Sequence, residues 1–272
     1  MAATPDGSGP RLSEELAEAL RTAAVLPRLL VCLDFDGCVA ELVADAEAAR
    51  PVPSNAEAIE ALAGQPGVTL AYVSGRPLQT LRRLAQPPSG VLLVGSHGAE
   101  VDLSGAGSAA QSAAEALELT AAQRHARAEL VEVFESLAAE VEGAWVEHKP
   151  AGAGMHVRRV SDADVGDALL ARAEAAAGRV EGVHVKAGKR ILEAVVVHAT
   201  KGEAIEQLRV HISPDAVLFA GDDVTDEQGF AVLGEGDVGV KVGEGPTAAS
   251  HRIPAPADLA AVLWELVRGR DV

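Results

Sequence analysis

The stretch Leu29-Leu30-Val31-Cys32-Leu33-Asp34-Phe35-Asp36-Gly37 decides how the rest of the chain is read. Its unbroken apolar run is too short for a core helix and suits a strand buried on both faces. The run ends in two carboxylates spaced two apart, followed by a glycine. A buried strand that delivers acids at its carboxyl end belongs to an open parallel sheet, which binds ligands at that edge. Gly37 permits a tight turn and the close approach of backbone N–H groups to an anion. One carboxylate can attack phosphorus while the other gives a proton to the leaving oxygen and then activates water. Two acids in a loop also serve as solvated or capping groups, so the choice rests on the rest of the chain.

The alternation of strand, loop and helix continues outward from this stretch. Residues 13–25 form an amphipathic pattern with Ser13 as cap and acids in the first turn. Residues 55–63 predict a helix opened by Ser54 or Asn55. Strands are predicted at 68–73 and 91–94, with a helix at 78–84 between them. This order predicts an α/β fold with a doubly wound parallel sheet. The pattern then changes. Residues 104–108 are small and read as a linker, and 121–141 as a long helix. Short strands are predicted at 145–148 and 155–158, a helix at 162–177, and a hairpin of 183–186 with 191–197 around Ala187-Gly188-Lys189. That is an α+β insert. The first pattern resumes with a helix at 201–208, a strand at 216–220, a last strand at 238–242 and a closing helix at 258–268. The expected organisation is a disordered N-terminus at 1–10, an α/β core of 11–104 and 196–272, and an inserted domain at 105–195.

Composition narrows the function. The 272 residues carry 23 basic and 40 acidic side chains, a formal charge of −17, and only 3% aromatics. Such a field repels a nucleic-acid backbone, and few rings remain on which to stack bases. An enzyme of anionic substrates with this charge needs local cations or a metal. The two cysteines, Cys32 and Cys38, suggest no disulfide framework. No run of ~18 apolar residues occurs, so no membrane span is expected. These features predict a soluble cytoplasmic protein, and they set no oligomeric state.

Three further motifs carry chemistry. Gly221-Asp222-Asp223-Val224-Thr225-Asp226-Glu227 places four acids directly after a predicted strand. Hard oxygen donors of this kind suit Mg²⁺, although acids also favour a helix start. Ser74-Gly75-Arg76 follows a strand and opens a helix, which makes either an anion site or an ordinary cap. Lys201-Gly202 also opens a helix, where the ammonium can neutralise a phosphate and a nucleophilic carboxylate or simply face solvent.

In their order along the chain, Asp-x-Asp-Gly, Ser-Gly-Arg, Lys-Gly and Gly-Asp-Asp resemble the four motifs of the haloacid-dehalogenase-like superfamily. The resemblance covers the whole α/β core. It implies Asp34 as nucleophile, Asp36 as acid/base, and Ser74, Gly75 and Lys201 as phosphate ligands. It implies Mg²⁺ held by Asp34, the Asp36 backbone carbonyl and Asp222, with Asp223 and Asp226 as metal-shell or orienting residues. The insert falls where this superfamily places its larger cap. The tracts Gly95-Ser96-His97-Gly98-Ala99-Glu100, Val146-Glu147-His148-Lys149-Pro150, His156-Val157-Arg158, Gly188-Lys189-Arg190-Ile191-Leu192-Glu193 and the acidic loop are similar to the trehalose-6-phosphate phosphatase family. That likeness implies a sugar phosphate substrate, bound by Lys149, His156, Arg158, Lys189 and Glu193. Such residues offer the charged partners that hydroxyls prefer, while strand alternation turns about half of them away. Other sugar phosphates, such as sucrose 6-phosphate or a glycosyl-glycerate phosphate, and a non-catalytic sugar-phosphate-binding regulator are the competing expectations. One departure stands out: Cys38 replaces the family's Thr after Asp-x-Asp-Gly. A thiol beside carboxylates is expected to have a raised pKa and to be a poor nucleophile.

Overall fold

The computed structural model describes residues 12–106, 119–188 and 190–271. The expected disorder at 1–10, the far end of the 104–108 linker and the candidate ligand Lys189 lie outside the described residues. In chain order the elements are α1 (Glu14–Ala24), β1 (Leu29–Leu33), α2 (Pro53–Ala63), β2 (Val68–Val73), α3 (Leu78–Ala85), β3 (Leu92–Gly95) and β4 (Glu100–Asp102). They continue with α4 (Ala121–Ala138), β5 (Trp145–Lys149), β6 (Gly152–His156), α5 (Ala163–Ala177), β7 (His184–Gly188) and β8 (Ile191–Val195). The last are α6 (Lys201–Ile212), β9 (Ala216–Gly221), α7 (Glu227–Phe230), β10 (Val238–Val242), β11 (His251–Ile253) and α8 (Leu259–Arg270). The chain divides into two compact units, Met1–Glu115 with Thr200–Val272, and Ala116–Ala199.

In the first unit the described strands form one sheet in the order β11-β10-β9-β1-β2-β3-β4. All neighbours are parallel except β3 and β4. β1 is central, and alternate residues enter opposite layers. Leu29, Val31 and Leu33 pack with Leu16, Leu20, Ile59, Leu62, Leu263 and Leu266 from α1, α2 and α8. Leu30 and Cys32 pack with Ile205, Leu208 and Phe230 from α6 and α7. Burial on both faces explains the unbroken apolar run, each such side chain contributing about 1.5–3 kcal/mol. Strand β11 lies beyond the strand read as the last one. It is three residues long and begins His-Arg, too short and polar for a periodicity signal. Strand β4 is similarly short and adds an antiparallel edge to an otherwise parallel sheet.

Helix α2 corrects a capping assignment. It starts at Pro53 after Val52, with no side-chain cap, so neither Ser54 nor Asn55 is the cap. Proline suits the first turn because its missing N–H has no partner there. Asn55 is buried instead, and its Nδ2 donates to the carbonyls of Val39 (3.1 Å) and Pro256 (3.0 Å). It thereby braces the loop that follows β1.

The second unit holds an antiparallel sheet in the order β5-β6-β8-β7. Ala153, Met155, Leu192 and Ala194 pack against Leu130, Phe134, Leu169 and Ala173 of α4 and α5. Strand β6 runs over Gly152–His156 rather than 155–158, which leaves Arg158 exposed beyond its end. Small residues hid this strand from a hydrophobicity reading, yet smallness is required there: a Cβ on Gly152 would stand 2.0 Å from the Ala194 carbonyl of β8. The turn between β7 and β8 includes Arg190, at φ 64. The Arg190 guanidinium donates to the Val157 carbonyl at 2.9 Å and to Asp167 at 3.2 Å, which holds that strained backbone in place.

Candidate active site

Parallel register brings the acidic motifs to one edge. Leu33 of β1 pairs with Ala220 of β9 on one side and Tyr72 of β2 on the other. Asp34, Asp222 and Ser74 therefore leave the sheet side by side. β1 lies between β9 and β2, with connections departing in opposite directions, which is where open α/β sheets form a crevice.

Asp34 is buried, and its Oδ1 accepts from Lys201 Nζ at 2.6 Å. The same ammonium donates to Asp226 Oδ1 at 2.6 Å. Lys201 is delivered by the start of α6, which is fixed by a capping box. Thr200 Oγ1 accepts from Glu203 N (3.1 Å), and Glu203 Oε2 accepts from Thr200 N (2.9 Å). Gly202 is needed there because a Cβ would lie 2.4 Å from the Gln228 carbonyl. Asp226 Oδ2 accepts the backbone N–H groups of Asp222 (3.0 Å) and Asp223 (2.8 Å). Asp226 thus spends both oxygens on orienting its neighbours, whereas Asp223 is exposed.

Oxygens of Asp34, Asp222 and Asp226 lie within 4.8 Å of one another, the group among the described residues that can hold a metal ion. Asp222 Oδ1 is buried with no hydrogen-bond partner among the described residues. Burial pushes the Asp34 carboxyl well above the ordinary carboxylate range; the Lys201 ammonium opposes this, and Asp226 and Asp222 add to it. Asp222 is pushed up to about 6 by burial and then by the Asp226 charge. Burial alone would lower Lys201, but the Asp34 and Asp226 charges outweigh it and keep the ammonium protonated. Crowded oxygen donors, one of them orphaned, fit a small divalent cation.

Gly37 has φ +81, and a Cβ there would stand 2.1 Å from Asp222 Oδ2. The glycine therefore serves both the turn and the approach of the two acidic loops. Asp36 lies beside this cluster, gripped by Arg76 Nε at 2.5 Å and Nη2 at 2.6 Å. Arg76 also lies 5.6 Å from the Phe35 ring centroid. Its backbone N–H donates to Ser74 Oγ at 3.2 Å. Behind it, Ser96 (φ 50) and His97 (φ 59) are left-handed. Their N–H groups donate to the Arg76 carbonyl (2.8 Å) and the Ser74 carbonyl (2.9 Å). The His97 ring occupies the space where a Cβ on Gly75 would sit, 2.5 Å from its Cε1.

On the second unit's sheet, Lys149 pairs with Glu193, and His156 Nε2 meets Glu147 Oε2 at 3.0 Å. The His156 ring stacks on Trp145 at 4.5 Å. Lys149, His156 and Glu193 are thus gathered on one sheet face, and Arg158 stands apart from them past β6. Sequence reading alone passed over the grip of Arg76 on Asp36, the brace of Asn55 and the buried Lys241. The last left a signal: a lysine inside the apolar run Val-Gly-Val-Lys-Val needs a partner.

A family model and several known proteins match this chain. The family model described as trehalose-phosphatase matches residues 32–260. An uncharacterized glycosyl hydrolase of Mycobacterium tuberculosis is 33% identical over 98% of this chain and 21% of its own length. The trehalose-phosphate phosphatase of Mycobacterium marinum is 31% identical over 93% of this chain and 66% of its own length. The chain therefore spans less than two thirds of either relative. Among solved structures, the C. albicans trehalose-6-phosphate phosphatase C-terminal domain superposes with a TM-score of 0.73, covering 96% of this chain and 99% of that one. Its identity is 21%, so that likeness speaks to the fold.

Proposed function

Because the chain belongs to the trehalose-phosphatase family, we propose that it hydrolyses trehalose 6-phosphate to trehalose and phosphate through a phosphorylated Asp34. The observation that carries this reading is the convergence of Asp34 with Lys201 and Asp222 at the carboxyl edge of β1 and β9.

Asp34 attacks phosphorus, an Asp34 O–P bond forms, and the bond from phosphorus to the sugar oxygen breaks. Asp36 gives its proton to that oxygen. Asp36 then takes a proton from water as the water attacks the phosphorylated Asp34, which releases phosphate and restores both carboxyl groups. Both Asp36 oxygens are engaged by Arg76, so turnover requires that pair to loosen. Lys201 offsets charge on the nucleophile and the phosphoryl oxygens, and Ser74 and the N–H of Gly75 complete the anion site. Mg²⁺ fits the donor set of Asp34, Asp222 and the Asp36 carbonyl, with Asp226 orienting and Asp223 at the periphery. When bound, it supplies charge stabilisation at the phosphoryl group. Lys149, Glu193 and His156, joined by Lys189 and Arg158, are proposed to bind hydroxyls of the leaving sugar.

No helix among the described residues is long and apolar enough to cross a membrane. Both cysteines are free and buried, which suits a reducing compartment, and the proposed location is the cytoplasm.

Phosphate release is to be measured on trehalose 6-phosphate, sucrose 6-phosphate and glucose 6-phosphate, with Mg²⁺ and with excess chelator. The expected result is Mg²⁺-dependent release that strongly favours trehalose 6-phosphate. Equal rates on all three sugars would remove the substrate assignment, and a full rate in chelator would remove the metal.

A further inference from the structure

All five residues of β10 are buried, including Lys241. Its Nζ donates to the backbone carbonyl of Asp222 at 2.5 Å and lies 3.4 Å from Glu227 Oε1. Glu227 Oε2 in turn accepts the Ala248 N–H at 2.7 Å. Lys241 pairs in register with Gly221 of the adjacent β9, so its side chain reaches Asp222, the residue that follows that strand. The Asp222 backbone is therefore held on both sides of its Cα. Its N–H is fixed by Asp226 and its carbonyl by Lys241. With both groups tied, the direction in which the Asp222 side chain leaves the backbone is set; its carboxylate joins those of Asp34 and Asp226, and its Oδ1 is buried without a partner among the described residues.

We propose that Lys241 is a positioning residue: by pinning the Asp222 carbonyl it aims the Asp222 carboxylate and so sets the affinity of the acidic centre for a divalent cation. The proposal rests on the metal reading given above. Its sign is the opposite of a plain charge effect. A cation beside a cation site repels the ion, so removing Lys241 would tighten metal binding if Coulomb interaction alone mattered. Residues that orient metal ligands instead support affinity, and losing one weakens binding by about 10- to 100-fold.

Calorimetric titration of Mg²⁺ into the full chain without substrate tests this for wild type, Lys241→Met and Lys241→Gln, alongside thermal unfolding. Lys241→Met is expected to weaken Mg²⁺ binding by about 10- to 100-fold. Lys241→Gln keeps an N–H donor without charge and is expected to lose less. A lowered Tm with an unchanged Mg²⁺ Kd would mark a merely structural role and overturn the proposal, as would equal or tighter binding. If Lys241→Met does not fold, Lys241→Gln carries the same test of sign. Wild type that binds no Mg²⁺ would sink the metal reading and this proposal with it. Wild type that binds while the variants match it would sink this proposal alone.

Discussion

At the edge of the seven-stranded sheet, Lys201 is 3% exposed and shares its ammonium between Asp34 and Asp226, themselves 5% and 0% exposed. On the four-stranded sheet, Lys149 and Glu193 pair at 11% and 20% exposure, and Glu147 beside them is 41% exposed. The first group is nearly closed to bulk water. Each charge must be met by a fixed partner, so the geometry is set before any ligand arrives. The second group borders solvent, and its members can exchange one partner for another at small cost. One region holds charge in place and the other can exchange it, which is the division that the proposed roles in chemistry and recognition call for.

The largest effect is expected at Asp34, in the closed group. Asp34→Asn is expected to lower kcat by about 10⁴-fold or more, as loss of a nucleophile does in enzymes with a covalent step, while the thermal transition stays cooperative. Undiminished phosphate release from this variant would end the covalent reading. Lys201→Met leaves two buried carboxylates without their cation. A stability loss of about 3–5 kcal/mol is expected in urea unfolding, with kcat down about 10²–10³-fold. A stability within experimental error of wild type would show that water reaches this cluster after all.

Glu193→Ala probes the softer region. A hydrogen bond to a charged group contributes about 1.5–3 kcal/mol, so kcat/KM on trehalose 6-phosphate should fall about 10- to 100-fold. An aryl phosphate, which has no hydroxyls to bind, should be turned over as before. An equal loss on both substrates would assign Glu193 to the fold. The smallest effect concerns Cys38. Burial first, and then the Asp34 charge, push its thiol well above the ordinary range. It stays neutral across the pH range of ordinary assays, so iodoacetamide at pH 8 should leave Cys38 unlabelled by mass spectrometry and activity unchanged. Rapid labelling would contradict the packing around the loop after β1.

β1, β2 and β10 have the bounds that their apolar runs predict, because strands buried on both faces announce themselves by composition alone. β6 does not, since its glycines and alanines serve close strand approach and carry no hydrophobic signal. β4 and β11 are three residues each, too short for any period. Asp34, Lys201 and Asp222 are conspicuous in sequence because each follows a strand or opens a helix. The pairing of Arg76 with Asp36 is not, because nothing in Ser74-Gly75-Arg76 says where a long guanidinium side chain will find its carboxylates.

Legible in the residues alone were the order of the long strands and helices, the acidic turns at strand ends and the glycines that let those turns close. These are local matters of burial and backbone freedom. The packed fold alone brings Lys201 to Asp34 across 167 residues and Lys241 to the carbonyl of Asp222. The physical reason is the sheet order β10-β9-β1-β2. Apolar strands of similar composition can pair in many orders, and the favoured one emerges when both faces are covered and every buried charge is met.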